Sequence, residues 1–262
     1  MDTEALVPDI VSQDCFLRKL PAGLSLVQRM KFDAIRLAAE MVGLANFRLM
    51  KTALHICCEE ELRPSGRSRT ALLLDAWSII MHCHTIREIL RSLEFNTVEI
   101  SAFLAATELV SEVRDAQQHY HDQFPNRAKK KRKTVPLYGA LAWTYSKEAP
   151  PPASLYLITC CYGASLEPKT VVKVPNPAGQ KIRLPIGNLR LQAFDHDIDL
   201  QNVTDEVSSL VCHFNTRVAA LIRQELDQVA DEKKIDRARL HANPVADPFF
   251  ALCVQLKNKG PA

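Results

Sequence analysis

"SLVQRMKFDAIRLAAEMVGLANFRLMKTALHICCEEELR", residues 25 to 63, is the stretch on which the fold turns. Leu26, Met30, Ala34, Leu37, Met41, Leu44, Ala45, Leu49 and Ala53 recur at three- and four-residue steps, which predicts one long amphipathic helix. Ser25 reads as its N-cap, and Pro64-Ser65-Gly66 ends it. A second helix is predicted from about Ser68 to Leu93, with Leu72, Ala76, Ile79, Ile80, Ile86 and Leu90 as its stripe. A third runs from a cap at Asn96 or Thr97 to about Phe124, where Pro125 stops it. Three long helices joined by short turns predict an antiparallel bundle.

Beyond the third helix the texture changes. "TVPLYGALAWTYS" and "ASLYLITCCYGAS" are rich in aromatic and β-branched residues. "TVVKV" and "KIRLPI", separated by "PNPAGQ", read as a hairpin, and "NLRLQAFDHDI" as a further strand. Pro150, Pro151 and Pro152 mark a rigid turn inside this region. A last helix is predicted from about Thr204 to Ala230, burying Val207, Leu210, Val211, Phe214, Val218, Leu221, Ile222 and Leu226. The fold class is therefore α+β: an N-terminal antiparallel helical bundle, a small antiparallel β region and a C-terminal helix. The expected organisation is an N-terminal extension at 1–24, the bundle at 25–126, a basic loop at 127–134 and a β-rich accessory region at 135–262.

The chain has 262 residues, 47% of them hydrophobic, enough to bury a sizeable core. Its net charge is +3, yet the run "RAKKKRK", residues 127 to 133, supplies six positive charges, so the remainder is net negative and the basic character is local. Eight cysteines show no CxxC and no zinc-ligand spacing, which points to reduced thiols and no metal. The acidic start "MDTEALVPDIVSQD" has no apolar core of a signal peptide, and no stretch is apolar enough to span a bilayer. The expected location is cytoplasmic. P-loop, GxGxxG, GxSxG and HExxH patterns are absent, which removes the sequence basis for P-loop nucleotide hydrolysis, dinucleotide redox chemistry and zinc proteolysis, and no cofactor is expected.

Chemistry gathers in "VRDAQQHYHDQF", residues 113 to 124. Arg114 and His121 lie seven residues apart and share a face if the helix stays regular, whereas His119 lies about 140° from Arg114 and needs a bend, a frayed end or a second subunit to converge on it. "RDAQQH" resembles the R-x4-6-H signature of the HEPN superfamily, helical-bundle domains of which many are ribonucleases, and the resemblance spans about residues 25 to 125. It implies a metal-independent endoribonuclease, acting as a toxin or defence factor, whose cleft is shared by two motifs across a homodimer. It also implies products with a 2′,3′-cyclic phosphate and a 5′-hydroxyl. One histidine would move protons at the ribose 2′-OH or the leaving oxygen, Arg114 would stabilise phosphoryl charge, and Asp115 would orient one of these side chains. An inhibitory partner protein is a further expectation.

Arg127, Lys129, Lys130, Lys131, Arg132 and Lys133 begin eight residues after His119 and six after His121, and are expected to hold RNA phosphates without reading bases. His82 and His84 form a second candidate group with Asp75 and Arg87, weighed against hydrogen-bonded core histidines. "DHDID", residues 195 to 199, reads as a polar turn rather than a metal site. Set against the ribonuclease is a non-catalytic nucleic-acid- or protein-binding module with a structural bundle, in which Arg114 makes a salt bridge to Glu108, Glu112 or a neighbouring helix and the basic run is a solvated docking loop.

Overall fold

The computed structural model describes residues 9–58, 66–93, 95–119, 121, 139–146, 155–161, 185–194 and 196–243. The architecture is α+β. Helices α1 (Leu26–Cys58), α2 (Gly66–Arg91), α3 (Val98–Ala106) and α4 (Glu108–Gln118) precede strands β1 (Ala140–Ser146), β2 (Leu155–Cys161), β3 (Ile186–Ala193) and β4 (His196–Asp199). Helix α5 (Leu200–His213) then runs through a π-helical turn, Phe214–Val218, into α6 (Ala219–Lys233), and a short α7 (Arg237–His241) follows. The expected hairpin of "TVVKV" and "KIRLPI", the proline turn and the basic run lie largely or wholly outside the described residues.

Ser25 starts α1 through a reciprocal cap: its Oγ accepts from the Gln28 N–H at 3.2 Å while Gln28 Oε1 accepts from the Ser25 N–H at 2.9 Å. Lys31 at one end of α1 donates to the carbonyl of Ser92, and Arg48 near the other donates from Nε to Asp75 at 2.9 Å, so α1 and α2 lie antiparallel. The stripe read for α1 is half wrong. Phe32, Ile35, Ala38, Ala39, Val42, Ala45, Leu49 and Ala53 are buried, whereas Leu26, Met30, Leu37, Met41 and Leu44 are exposed. The first half of α1 is apolar on two faces, and the face carrying Phe32 and Ile35 has the partners. Phe32 meets Phe16 and Phe214 edge-on at ring separations of 6.2 and 5.8 Å.

The expected third helix is two helices. Thr107 breaks it, with φ −105° and ψ 17°, and its break has a cause on α2. The fully buried Arg87 donates from Nη1 to the Leu104 carbonyl, the acceptor that a continuous helix would give to the Glu108 N–H, and to Thr107 Oγ1 at 2.6 Å. A side chain inserted into the helical ladder bends it there. Helix α3 is then free to pack on α5, while α4 packs on α2 and β4.

The sheet is antiparallel throughout, in the order β2-β1-β3-β4. Central β1 is buried along its whole length. Opposite it, a bulge between Ala142 and Thr144 is accommodated by Asn188 of β3, whose φ of 51° is one that asparagine tolerates. The bundle and the sheet share one core: Trp143 of β1 donates from Nε1 to Cys57 Sγ of α1 at 3.3 Å, and Phe194 after β3 meets Trp77 of α2 at 6.2 Å. Helix α5 packs against α1, α2, α3 and β3, so it both completes the bundle and covers the sheet. The residues read as an N-terminal extension join this core through Val11, Cys15, Phe16, Leu17 and Leu24, and Phe16 N–H donates to Asn215 of the π turn at 2.7 Å.

Candidate functional site

Helix α4 carries the motif. Val110, Ser111 and Val113 form its buried face, which places Arg114 at the edge between core and solvent with its side chain 23% exposed. From there the guanidinium bonds within its own helix: Nη1 reaches Asp115 Oδ1 at 3.4 Å and Gln118 Oε1. Its Nε lies buried with no hydrogen-bond acceptor among the described residues. The salt bridges expected to Glu108 or Glu112 do not form, because Glu108 is taken by Arg87 at 2.6 Å and Glu112 lies 3.4 Å from His196 Nδ1 of β4.

The two histidines of the motif are both exposed. His119 is the C-cap residue of α4, with φ −100° and ψ 18°, and its N–H returns to the carbonyl of Asp115 at 3.2 Å. The regular helix therefore stops at Gln118, and the seven-residue arithmetic that aligned His121 with Arg114 does not carry across the cap. The contact partners that the geometry does give Arg114 are Asp115 and Gln118.

A histidine from another helix enters this neighbourhood. His84 of α2 places Nδ1 3.3 Å from Ser111 Oγ, and Arg87, one turn further along α2, donates from Nε to the same oxygen at 2.9 Å. Burial lowers the His84 pKa, and the positive charge of Arg114 across the helix pair lowers it further. The ring is thus held neutral at neutral pH beside the motif's arginine. Ser111 and Gln118 are the members that sequence reading missed. Their signal is spacing, three residues before and four after Arg114, which puts all three on one side of a helix.

The other members of the second group do different work. Asp75 is bound to Arg48 of α1 instead of His82, and burial raises its carboxyl pKa in spite of that partner. His82 is half-buried, and its pKa is lowered by burial alone. Arg87 serves the break between α3 and α4. In "DHDID", Asp199 caps α5 by accepting from the N–H groups of Gln201 and Asn202 at 3.0 Å, and Asp197 accepts from Arg190 Nε at 2.9 Å. Among the described residues, no three histidine, cysteine or carboxylate side chains gather as a metal-ligand set, and no helix is long and apolar enough to cross a membrane. The lysine-rich run 127–133 lies outside the described residues.

Compared with protein-family models, with curated proteins and with solved structures, the chain matches none.

Proposed function

We propose that the chain is a metal-independent endoribonuclease of the HEPN type, with Arg114 as the residue that meets the phosphate. One contrast carries this reading. Arg87 of α2 and Arg114 of α4 stand on facing helices. Arg87 is fully buried and uses Nε, Nη1 and Nη2 on Ser111, Leu104, Thr107 and Glu108. Arg114 is partly exposed, is bonded among the described residues only within its own helix turn, and stands where His119 and His121 follow. The first is a structural cation; the second is available to an incoming anion.

In the reaction the ribose 2′-OH attacks the adjacent phosphorus while the bond to the 5′-oxygen breaks. One histidine accepts the 2′-OH proton, and the 5′-oxygen takes up a proton as it leaves. The guanidinium of Arg114 stabilises charge on the non-bridging oxygens. The products are a 2′,3′-cyclic phosphate and a 5′-hydroxyl, with no other reactant. The basic run 127–133 supplies salt-sensitive attraction for RNA. The reading carries a homodimer with it, tested by sedimentation of the intact chain.

A non-catalytic nucleic-acid-binding module is the second reading, favoured by the Asp115 carboxylate 3.4 Å from the same guanidinium. Incubation of the chain with a labelled structured RNA in EDTA separates the two. Cleavage to cyclic phosphate that disappears in Arg114→Ala and in His119→Ala or His121→Ala supports the ribonuclease. Retention of intact RNA that falls with salt and with loss of Lys129, Lys130, Lys131 and Lys133 supports binding alone.

A further inference from the structure

We propose that His84 is a phosphate-contacting residue of the Arg114 site, fixed as the Nε2–H tautomer by Ser111 so that its outer N–H donates to a phosphate oxygen. The inference rests on reading the end of α4 as a phosphate-handling site.

The argument is one of hydrogen-bond accounting. Ser111 Oγ accepts from Arg87 Nε at 2.9 Å, so the hydroxyl's own hydrogen remains to be donated. Among the described contacts of that hydroxyl, the acceptor within reach is His84 Nδ1, at 3.3 Å. A neutral imidazole that accepts at Nδ1 carries its proton on Nε2. An imidazolium, which would donate from Nδ1, is disfavoured by burial above all and then by the positive charge of Arg114 on α4, with Arg87 acting in the same sense and Glu88 and Asp115 in the opposite one. Arg87 cannot turn away from Ser111, because its other nitrogens are held by Leu104, Thr107 and Glu108. The buried arginine thus orients the serine, the serine sets the tautomer, and the tautomer leaves a neutral donor beside a charged one.

A neutral N–H next to a guanidinium suits a phosphate oxygen. It adds a directed hydrogen bond without a second full charge, and it keeps its proton through the neutral range. The ligand class is a phosphate oxygen, whether of an RNA diester or of free phosphate.

Nitrogen-15 correlation spectra of the histidine rings in the full chain, without and with inorganic phosphate, test this directly. The expected result is a His84 ring with an unprotonated Nδ1 and a protonated Nε2, and an Nε2–H signal moved by phosphate in the wild type but not in Arg114→Ala. Interconverting tautomers, or a ring indifferent to phosphate, overturns the proposal in the unmodified protein, whatever any variant does. Cleavage of RNA supplies the second arm. Asn in place of His84 puts an amide near Nδ1, whereas Gln puts one near Nε2. His84→Asn is expected to slow cleavage about 100-fold and His84→Gln about 10-fold or less. If RNA is cleaved and His84→Asn matches the wild type, His84 is not a contact although the ribonuclease reading stands. If phosphate moves the His84 signal but RNA is never cut, the contact stands and the ribonuclease reading fails.

Discussion

The Nε of Arg87 donates to the Oγ of Ser111 across 2.9 Å, and through that contact the break between α3 and α4 is joined to the candidate site. The same guanidinium bends the chain at Thr107 and orients the hydroxyl that faces His84. The local architecture and the geometry of the candidate site therefore both depend on one buried cation.

Removal of that cation should be costly. Arg87→Met leaves the Leu104 carbonyl and the Thr107 and Ser111 hydroxyls without their donor, and each buried polar group so stranded costs about 1 to 3 kcal/mol. We expect a loss of roughly 3 kcal/mol or more in urea denaturation. Arg87→Lys should recover little, since an ammonium lacks the planar fork that serves partners on both sides of the break.

The two apolar stripes of α1 make opposite predictions. Ile35 is wholly buried, and Ile35→Ala should lower stability by about 2 to 5 kcal/mol. Leu37, 42% exposed two positions on, should tolerate Leu37→Ala within about 0.5 kcal/mol in the isolated chain. Thermal denaturation of the two variants side by side reads out which face is the core.

Asp75 predicts a pH dependence with an unusual sign. Its folded pKa is raised above the ordinary 3.8 by burial, so over that interval the folded state binds more protons than the unfolded one. This residue's contribution therefore favours folding increasingly as pH falls through the raised folded pKa, and levels off below 3.8. The stability of Asp75→Asn relative to the wild type should decline as pH is lowered from neutrality into that window. Denaturation midpoints measured across the range check it, and a relative stability that rises instead would sink the assignment.

Thiol reactivity should separate the cysteines by depth. Burial pushes the Cys57 thiol up to about 11 and the Cys83 thiol up to about 12, while Cys58 and Cys212 are exposed. Among these four, brief alkylation of the folded chain at neutral pH should label Cys58 and Cys212 first. Peptide mass spectrometry resolves the adjacent Cys57 and Cys58.

Periodicity was sufficient where only one face of a helix is apolar. The stripe read for α2 is buried throughout, and that of the last helix is buried except for Leu221. Periodicity failed on α1, because two apolar faces satisfy the same spacing and the choice between them is made by Phe16 and Phe214, remote in sequence. The break at Thr107 was illegible for a similar reason. Helical propensity is continuous through residues 98 to 118, and the interruption comes from an arginine 20 residues upstream. At the site, Arg114, Asp115 and the two histidines were visible as residue types. The partnership of His84 with Ser111 was not, since it exists only once α2 and α4 are side by side.

The buried arginine also leaves a mark that can be looked for in other sequences. Arg87 cannot be exchanged for an apolar residue unless the groups it satisfies change with it, so its partners should be inherited together. They form a spaced pattern: arginine, then 20 residues later the run Thr-Glu-x-x-Ser-x-x-Arg, which is Thr107, Glu108, Ser111 and Arg114 in this chain. Chains too divergent to align over their whole length would still keep that pattern if they keep the bend, and those that retain a histidine three residues before the first arginine would have kept the geometry of the candidate site as well.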